Sequence, residues 1–203
     1  MSIEIKISKR PISYIKAMNY LNKRVDEIKY NNKRELLWIL EHPTTFTAGI
    51  RYNESEIIDK KIKVIKTNRG GKITLHNPGQ RIVYFALNLN KRKKDIRKLI
   101  SVIEKSIIEF LKIYRINAEN DKKNIGIWVN KKKIAAVGLR VSKWIAYHGC
   151  SININNNLKY YQKILPCGLD NTRITSMNNE KKINFKGLNK NLINIFIKNI
   201  NKI

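Results

Sequence analysis

Cysteine is scarce in this chain: Cys150 and Cys167, 17 positions apart, are the only two, and no Cys-x-x-Cys occurs. With so few, a structural disulfide is not expected. Long apolar runs are missing too. No stretch approaches the ~20 consecutive apolar residues a membrane-spanning helix needs. The opening MSIEIKISKRPISYIK interrupts its apolar residues with charges and does not read as a secretory signal. The expected location is the cytoplasm, with no membrane partner. Histidine is limited to His42, His76 and His148, whose separations of 34 and 72 fit no local metal motif, so no metal site is expected. Pro/Ser-rich linkers and internal repeats are absent, and residues 1–203 are expected to form a single domain.

Acidic residues are few, 15 against 42 lysines and arginines, giving a formal charge of +27. Such a charge first suggests a nucleic-acid or membrane-surface binder. The lysines, however, are spread through almost every segment and not gathered in one arm or stripe, and no helix-turn-helix, finger or RNA-binding signature accompanies them. Lys, Asn and Ile are all served by A/T-rich codons, which enriches the three together. Nucleic acid is therefore not the expected partner, although a basic surface still attracts acidic proteins.

What is present divides into helical and extended patterns. Residues 95 to 114 place Ile96, Leu99, Ile100, Ile103, Ile107, Phe110, Leu111 and Tyr114 on one face of an amphipathic helix begun by Asp95. A second helix is expected from Pro11 to about Lys29, with Ile15, Met18 and Leu21 or Tyr20 inward, and a shorter one from about Leu188. Strands are expected at 35–42, 62–67, 81–89, 124–130, 133–141 and 143–154, with a turn at Asn130 to Lys132. Several are continuously apolar, which argues for burial on both faces and a mixed sheet covered by helices. The fold class is α+β or mixed α/β.

Three segments carry chemistry. Arg69-Gly70-Gly71-Lys72-Ile73-Thr74-Leu75-His76-Asn77-Pro78-Gly79-Gln80 is a Gly-rich loop that fits neither a dinucleotide fingerprint nor a P-loop, since Ile73 stands where a P-loop needs Ser or Thr. Arg, Thr, His and Gln gathered there favour a binding loop over a pair of ordinary turns. Lys133-Ile134-Ala135-Ala136-Val137-Gly138 offers small residues against which an alkyl chain can lie. Nothing local separates Lys133 from Lys131 and Lys132. Pro166-Cys167-Gly168 holds a thiol between two turn formers. Accessible, electropositive thiols are catalytic and buried ones inert, and the residues alone leave both readings of Cys167 open. Cys150, inside a strand, fits the inert class.

Taken in order, these segments resemble the lipoyl(octanoyl) transferase family over about residues 35 to 177: Glu41-His42-Pro43 with Phe46-Thr47-Ala48-Gly49, the 69–80 loop, Lys133 to Gly138, Tyr147-His148-Gly149 and Pro166-Cys167-Gly168. The separation of Lys133 and Cys167, 34 residues, also fits the family pattern. The resemblance implies a single catalytic domain with a biotin/lipoate ligase-like fold, a mixed sheet flanked by helices. It implies Cys167 as nucleophile, with Lys133 the lysine beside it, and substrate contacts at Arg69, Gly70, Gly71, Lys72, Ile73, Thr74, Leu75 and His76, at Ala136, Val137 and Gly138, and at Gly149, Cys150 and Ser151. Two positions depart from the family. Leu75 replaces an aromatic, which bears on chain-length preference, and Asn77 replaces a glycine whose left-handed turn Asn is able to keep.

The implied reaction moves octanoyl from octanoyl-acyl carrier protein to Cys167 as a thioester, then to a lysine of a lipoyl domain in 2-oxo acid dehydrogenase subunits or the glycine cleavage H protein. A lysine serves as base only where desolvation favours its neutral form, so a buried Lys133 is required. Backbone N–H groups at Gly70, Gly71 and Gly168 are the oxyanion candidates. No cofactor is expected, because the donor thioester already carries the activation. Acyl carrier proteins and lipoyl domains are acidic as families and suit a basic enzyme. Three other readings stand beside this one: an amidotransferase between lipoyl domains, an ATP-dependent lipoate ligase, and a nucleic-acid-binding protein supported by charge alone. No feature of the N-terminal 30 residues suggests chemistry.

Overall fold

Alternation of apolar and charged residues in Ile-Glu-Ile-Lys-Ile and the continuous apolar run that follows at 35–40 set the edge of the main sheet. In the computed structural model, which describes residues 3–121, 124–166, 173–182 and 184–203, the strands are β1 (Ile3–Ile7), β2 (Glu35–Leu40), β3 (Thr45–Ala48), β4 (Val64–Lys66), β5 (Ile73–His76), β6 (Gln80–Asn88), β7 (Glu119–Asn120), β8 (Ile127–Val129), β9 (Lys132–Ser142) and β10 (Ile145–Asn153). The helices are α1 (Tyr14–Asn31), α2 (Ile96–Ile113), α3 (Met177–Glu180) and α4 (Leu188–Ile200). Seven strands form one sheet in the order β1-β2-β6-β10-β9-β8-β7, and three form a second in the order β4-β3-β5. The large sheet is mixed: β1 runs parallel to β2, while the other pairings are antiparallel.

Continuous apolar strands require cover on both faces, and the large sheet has it. On one face α1 packs Ala17, Leu21 and Val25 against Trp38, Tyr84 and Tyr147. On the other, α2 and α4 bring Leu99, Ile103, Phe110 and Phe196 against Leu37, Phe85 and Ile134. Asp95 begins α2 as its N-cap, accepting from Lys98 N at 2.9 Å, and Ser13 caps α1 in the same way. The small sheet has its own core of Phe46, Ile73, Leu75, Tyr161 and Ile164. Two details depart from the sequence reading. Helix α1 starts at Tyr14 and turns Tyr14, Ala17, Leu21, Val25 and Ile28 inward at helical spacing, a face that leaves Ile15 exposed. Asn77 does not take a left-handed conformation: that role falls to Gly79, at φ 86°, while Asn77 is buried and donates Nδ2 to Asn157 O at 2.8 Å.

The β8–β9 turn does follow expectation, with Asn130 and Lys131 both at positive φ, the twist that two-residue hairpin turns favour. Among the described residues, no helix is long and apolar enough to cross a membrane.

Candidate active site

Alternation along β5 divides the Gly-rich segment between two environments. Ile73 and Leu75 point into the small sheet's core, fully buried, whereas Thr74 and His76 line a cavity of about 300 Å³ bounded by both sheets. The side chains of Ile73 and Leu75 therefore face away from this cavity, and the Leu75 departure alters core packing and not the cavity wall. Arg69, Gly70, Gly71, Lys72, Lys133, Ala136, Val137, Gly138, Gly149, Cys150 and Ser151 all line it. Sequence reasoning missed Arg51, Ile82, Tyr84, Asn124, Ile125 and His148, which complete the lining. Cys167 and Gly168 lie outside the described residues.

The floor comes from the β9–β10 pairing, which sets Gly138 opposite Gly149, Val137 opposite Cys150 and Ala136 opposite Ser151. Gly149 is indispensable there, because a Cβ at that position would stand 1.9 Å from Val83 O on the neighbouring strand. The 69–72 loop is pinned on two sides. Gly70 N donates to Leu139 O at 2.9 Å, and Arg51 N donates to Gly71 O at 3.0 Å. The Gly70 amide is thus engaged within the fold and drops out as an oxyanion donor. Arg69 is buried with its guanidinium donating to Thr47 O at 2.8 Å, Thr47 Oγ1 at 3.0 Å and Gly70 O at 3.0 Å. Lys72 pairs with the buried carboxylate of Glu56 at 2.7 Å.

Lys133 is buried, at 6% exposure, while Lys131 and Lys132 are exposed. Its Nζ donates to Ile125 O at 3.0 Å and stands 5.4 Å from the centre of the Trp128 ring. The walls around it are thus the 125–128 segment more than the Ile134 to Val137 stretch. Its backbone carbonyl accepts from Thr175 N at 3.0 Å, so the chain just after the Cys167 region runs beside β9 at this residue. Pro166 and Ile174 line the same small cavity as Lys133.

The three histidines converge despite their sequence separation, as a neutral hydrogen-bonded network. His42 Nδ1 donates to Ile12 O at 2.6 Å, which leaves Nε2 to accept from Tyr84 OH at 2.9 Å. Gln80 donates its amide hydrogens to Leu75 O, Asn153 Oδ1 and Tyr161 OH, so its Oε1 accepts from His76 Nδ1 at 2.8 Å. His148 Nε2 donates to Asn68 Oδ1 at 3.0 Å. Burial pushes His42 down to about 4, and burial together with Arg69 and Arg140 pushes His148 down to about 3. His76 is held well below the ordinary histidine range, by burial first and by His42 second. Burial also raises the Cys150 thiol far above the ordinary range, and the strand register turns it into the core under α2 and α4, away from the cavity that its backbone borders. Tyr14, from the N-terminal segment without expected chemistry, stacks on His76 with ring centres 5.9 Å apart. Among the described residues, no group of three or more His, Cys, Asp or Glu is placed to hold a metal ion.

The family model described as the lipoyl protein ligase A/B catalytic domain matches residues 13–197. The chain belongs to this family. It is 42% identical over 180 residues to an octanoyltransferase from Wolbachia sp. subsp. Brugia malayi (strain TRS), covering 86% of this chain and 88% of that one. Among solved structures, the fold is similar to a bi-partite lipoate protein ligase from Thermoplasma acidophilum, described with its E2 lipoyl domain, at a TM-score of 0.72 and 14% identity, covering 99% of this chain and 84% of that one. It is also similar to a biotin protein ligase from Aquifex aeolicus at 0.54 and 17% identity, covering 98% and 69%. The chain is an acyltransferase, and its reaction is octanoyl transfer in lipoate biosynthesis.

Proposed function

We propose that octanoyl transfer proceeds through a thioester on Cys167 with Lys133 moving the protons, the whole chain acting as one catalytic domain in the cytoplasm. Octanoyl-acyl carrier protein places its acyl chain in the 300 Å³ cavity. Cys167 Sγ attacks the thioester carbon as its proton passes to Lys133 Nζ, and the carrier thiolate leaves, taking that proton back. The ε-amine of a lipoyl-domain lysine then attacks the Cys167 thioester, Lys133 accepts the amine proton, and the thiol is regenerated as the amide forms. The lipoyl domains are those of 2-oxo acid dehydrogenase subunits and the glycine cleavage H protein.

The observation that carries this reading is the burial of Lys133, which lines a small cavity together with Ile174 and with Pro166, the residue that precedes Cys167 in sequence. One wall suits an alkyl chain: Ala136, Gly138 and Ile82 offer apolar surface on the sheet face that looks into the cavity, and the neutral His148 adds no charge. The test is steady-state transfer of octanoyl from its carrier protein to a lipoyl domain, followed by the mass of the domain. Lys133→Met lowers kcat by about 10²-fold or more, the range lost with a general base. A Lys133→Met enzyme that is folded and transfers at the wild-type rate rules the lysine out.

A further inference from the structure

A second cleft, of about 460 Å³, lies against the first and shares one lining residue with it, His148. Its walls are the N-terminal half of α1, including Tyr14, Ile15 and Met18, and the segment from Ile65 to Asn68. The hydrogen bond from His148 Nε2 to Asn68 Oδ1, 3.0 Å long, joins β10 to that segment between the two spaces. We propose that the His148–Asn68 pair is the end wall of the acyl pocket and limits the length of chain it takes, with the second cleft as the space a longer chain enters once the pair is opened.

This rests on the reading that the first cavity holds the acyl chain with its thioester at Lys133. The β9–β10 register puts Leu139 opposite His148, so that along the hairpin Lys133 and His148 mark opposite ends of the cavity. Six residues of strand separate those levels, about 20 Å. An extended eight-carbon chain spans about 9 Å at the ordinary C–C bond length, and with the thioester and the lysine side chain taking up length at one end, a chain that grows along the cavity runs toward the pair. His148 is also held under strain. It sits in a strand at φ 66°, a left-handed conformation uncommon for residues other than glycine and concentrated at functional positions. One hydrogen bond and ring contacts hold it: the buried Nδ1 has no hydrogen-bond partner, and the ring stacks on Tyr147 with centres 5.0 Å apart.

The test compares kcat/KM for octanoyl- and dodecanoyl-acyl carrier protein in wild type, His148→Gly, Asn68→Ala and Ala136→Trp. Glycine accepts the backbone conformation at 148 without cost, and Asn68 is exposed, so Asn68→Ala opens the wall without threatening the fold. The dodecanoyl-to-octanoyl ratio rises at least about tenfold in both opening variants, since even one methylene admitted or refused by an apolar pocket is worth that much. Ala136→Trp, on the strand face that looks into the first cavity, fills it and abolishes octanoyl transfer. An unchanged ratio in Asn68→Ala and in a folded His148→Gly, with a folded Ala136→Trp inactive, overturns the end wall and leaves the acyl pocket standing. Full octanoyl transfer by Ala136→Trp overturns both.

Discussion

Lys133 is separated from Lys131 and Lys132 by one residue of strand phase: the turn exposes the first two, and the third goes under Trp128 and the 125–128 segment. Room for its side chain is made by Gly126. A Cβ there would stand 2.4 Å from Lys133 Cε and 2.8 Å from Ala135 O, on a backbone at φ 142°. Gly126→Ala is therefore expected to displace the Lys133 amine and lower kcat by about 10²-fold, the cost of misplacing a reacting group by about 1 Å. KM for the carrier protein should stay near the wild-type value, because the cavity walls are untouched. A folded Gly126→Ala enzyme with unaltered kcat removes the need for this placement. No local pattern marks Gly126: it precedes Ile127-Trp128-Val129, which reads as an ordinary strand. Tyr84 and Ile82 were hidden for a related reason. They sit in a continuous apolar strand, where sequence does not tell which face looks into a cavity and which into the core.

The elements that periodicity identifies are the long ones. Helix α2 buries Leu99, Ile103, Ile107, Phe110 and Leu111 along the expected face; β2 and β10 fall within the apolar runs, β6 starts one residue before its run, and β9 exceeds its run by one residue at each end. The short strands β3 and β5 were not legible, because four residues with polar alternates, after His42-Pro43 in one case and inside a glycine-rich stretch in the other, look like loop. Strand β1 was legible in principle, since Ile3, Ile5 and Ile7 alternate with Glu4 and Lys6. Several of these elements are tied together by the neutral histidines, which join the chain before α1, the end of β2, β5, β6 and β10. Their titration has a definite sign. In the unfolded chain each takes up a proton near 6.5, whereas in the fold His42 does so at about 4 and His148 at about 3. Above pH 6.5 they favour neither state. As pH falls below 6.5 the unfolded chain binds more protons and stability is lost, until the folded values are reached. Between pH 6.5 and 5 each contributes a loss on the order of 2 kcal/mol. The urea midpoint is expected to fall clearly between pH 7.5 and 5, and a midpoint constant over that range contradicts burial of neutral rings.

At the scale of the molecule, the surplus of positive charge is expected to act on encounter and not on fold. Acidic groups are absorbed locally: Glu35 by Arg92, Glu56 by Lys72, Glu41 by Arg81, Glu4 by Arg24. The net charge of +27 is left to the remaining lysines and arginines. An acidic carrier protein is attracted over about the screening length, ~10 Å at 0.1 M salt and ~3 Å at 1 M. Raising salt from 0.05 to 0.5 M is expected to lower kcat/KM for the carrier about tenfold while leaving kcat nearly constant. Salt-independent kcat/KM makes the charge incidental to docking. Family membership was legible in the order of the motifs, whereas the cavity and its neighbouring cleft required the two sheets to be brought together. The central claim is the covalent one, and the intact mass of the enzyme after brief mixing with octanoyl-acyl carrier protein tests it most directly. One octanoyl group per chain, removed by hydroxylamine and absent from Cys167→Ala, is the expected result; a folded wild-type enzyme that transfers octanoyl without ever carrying it, or a Cys167→Ala variant that carries it, contradicts the thioester.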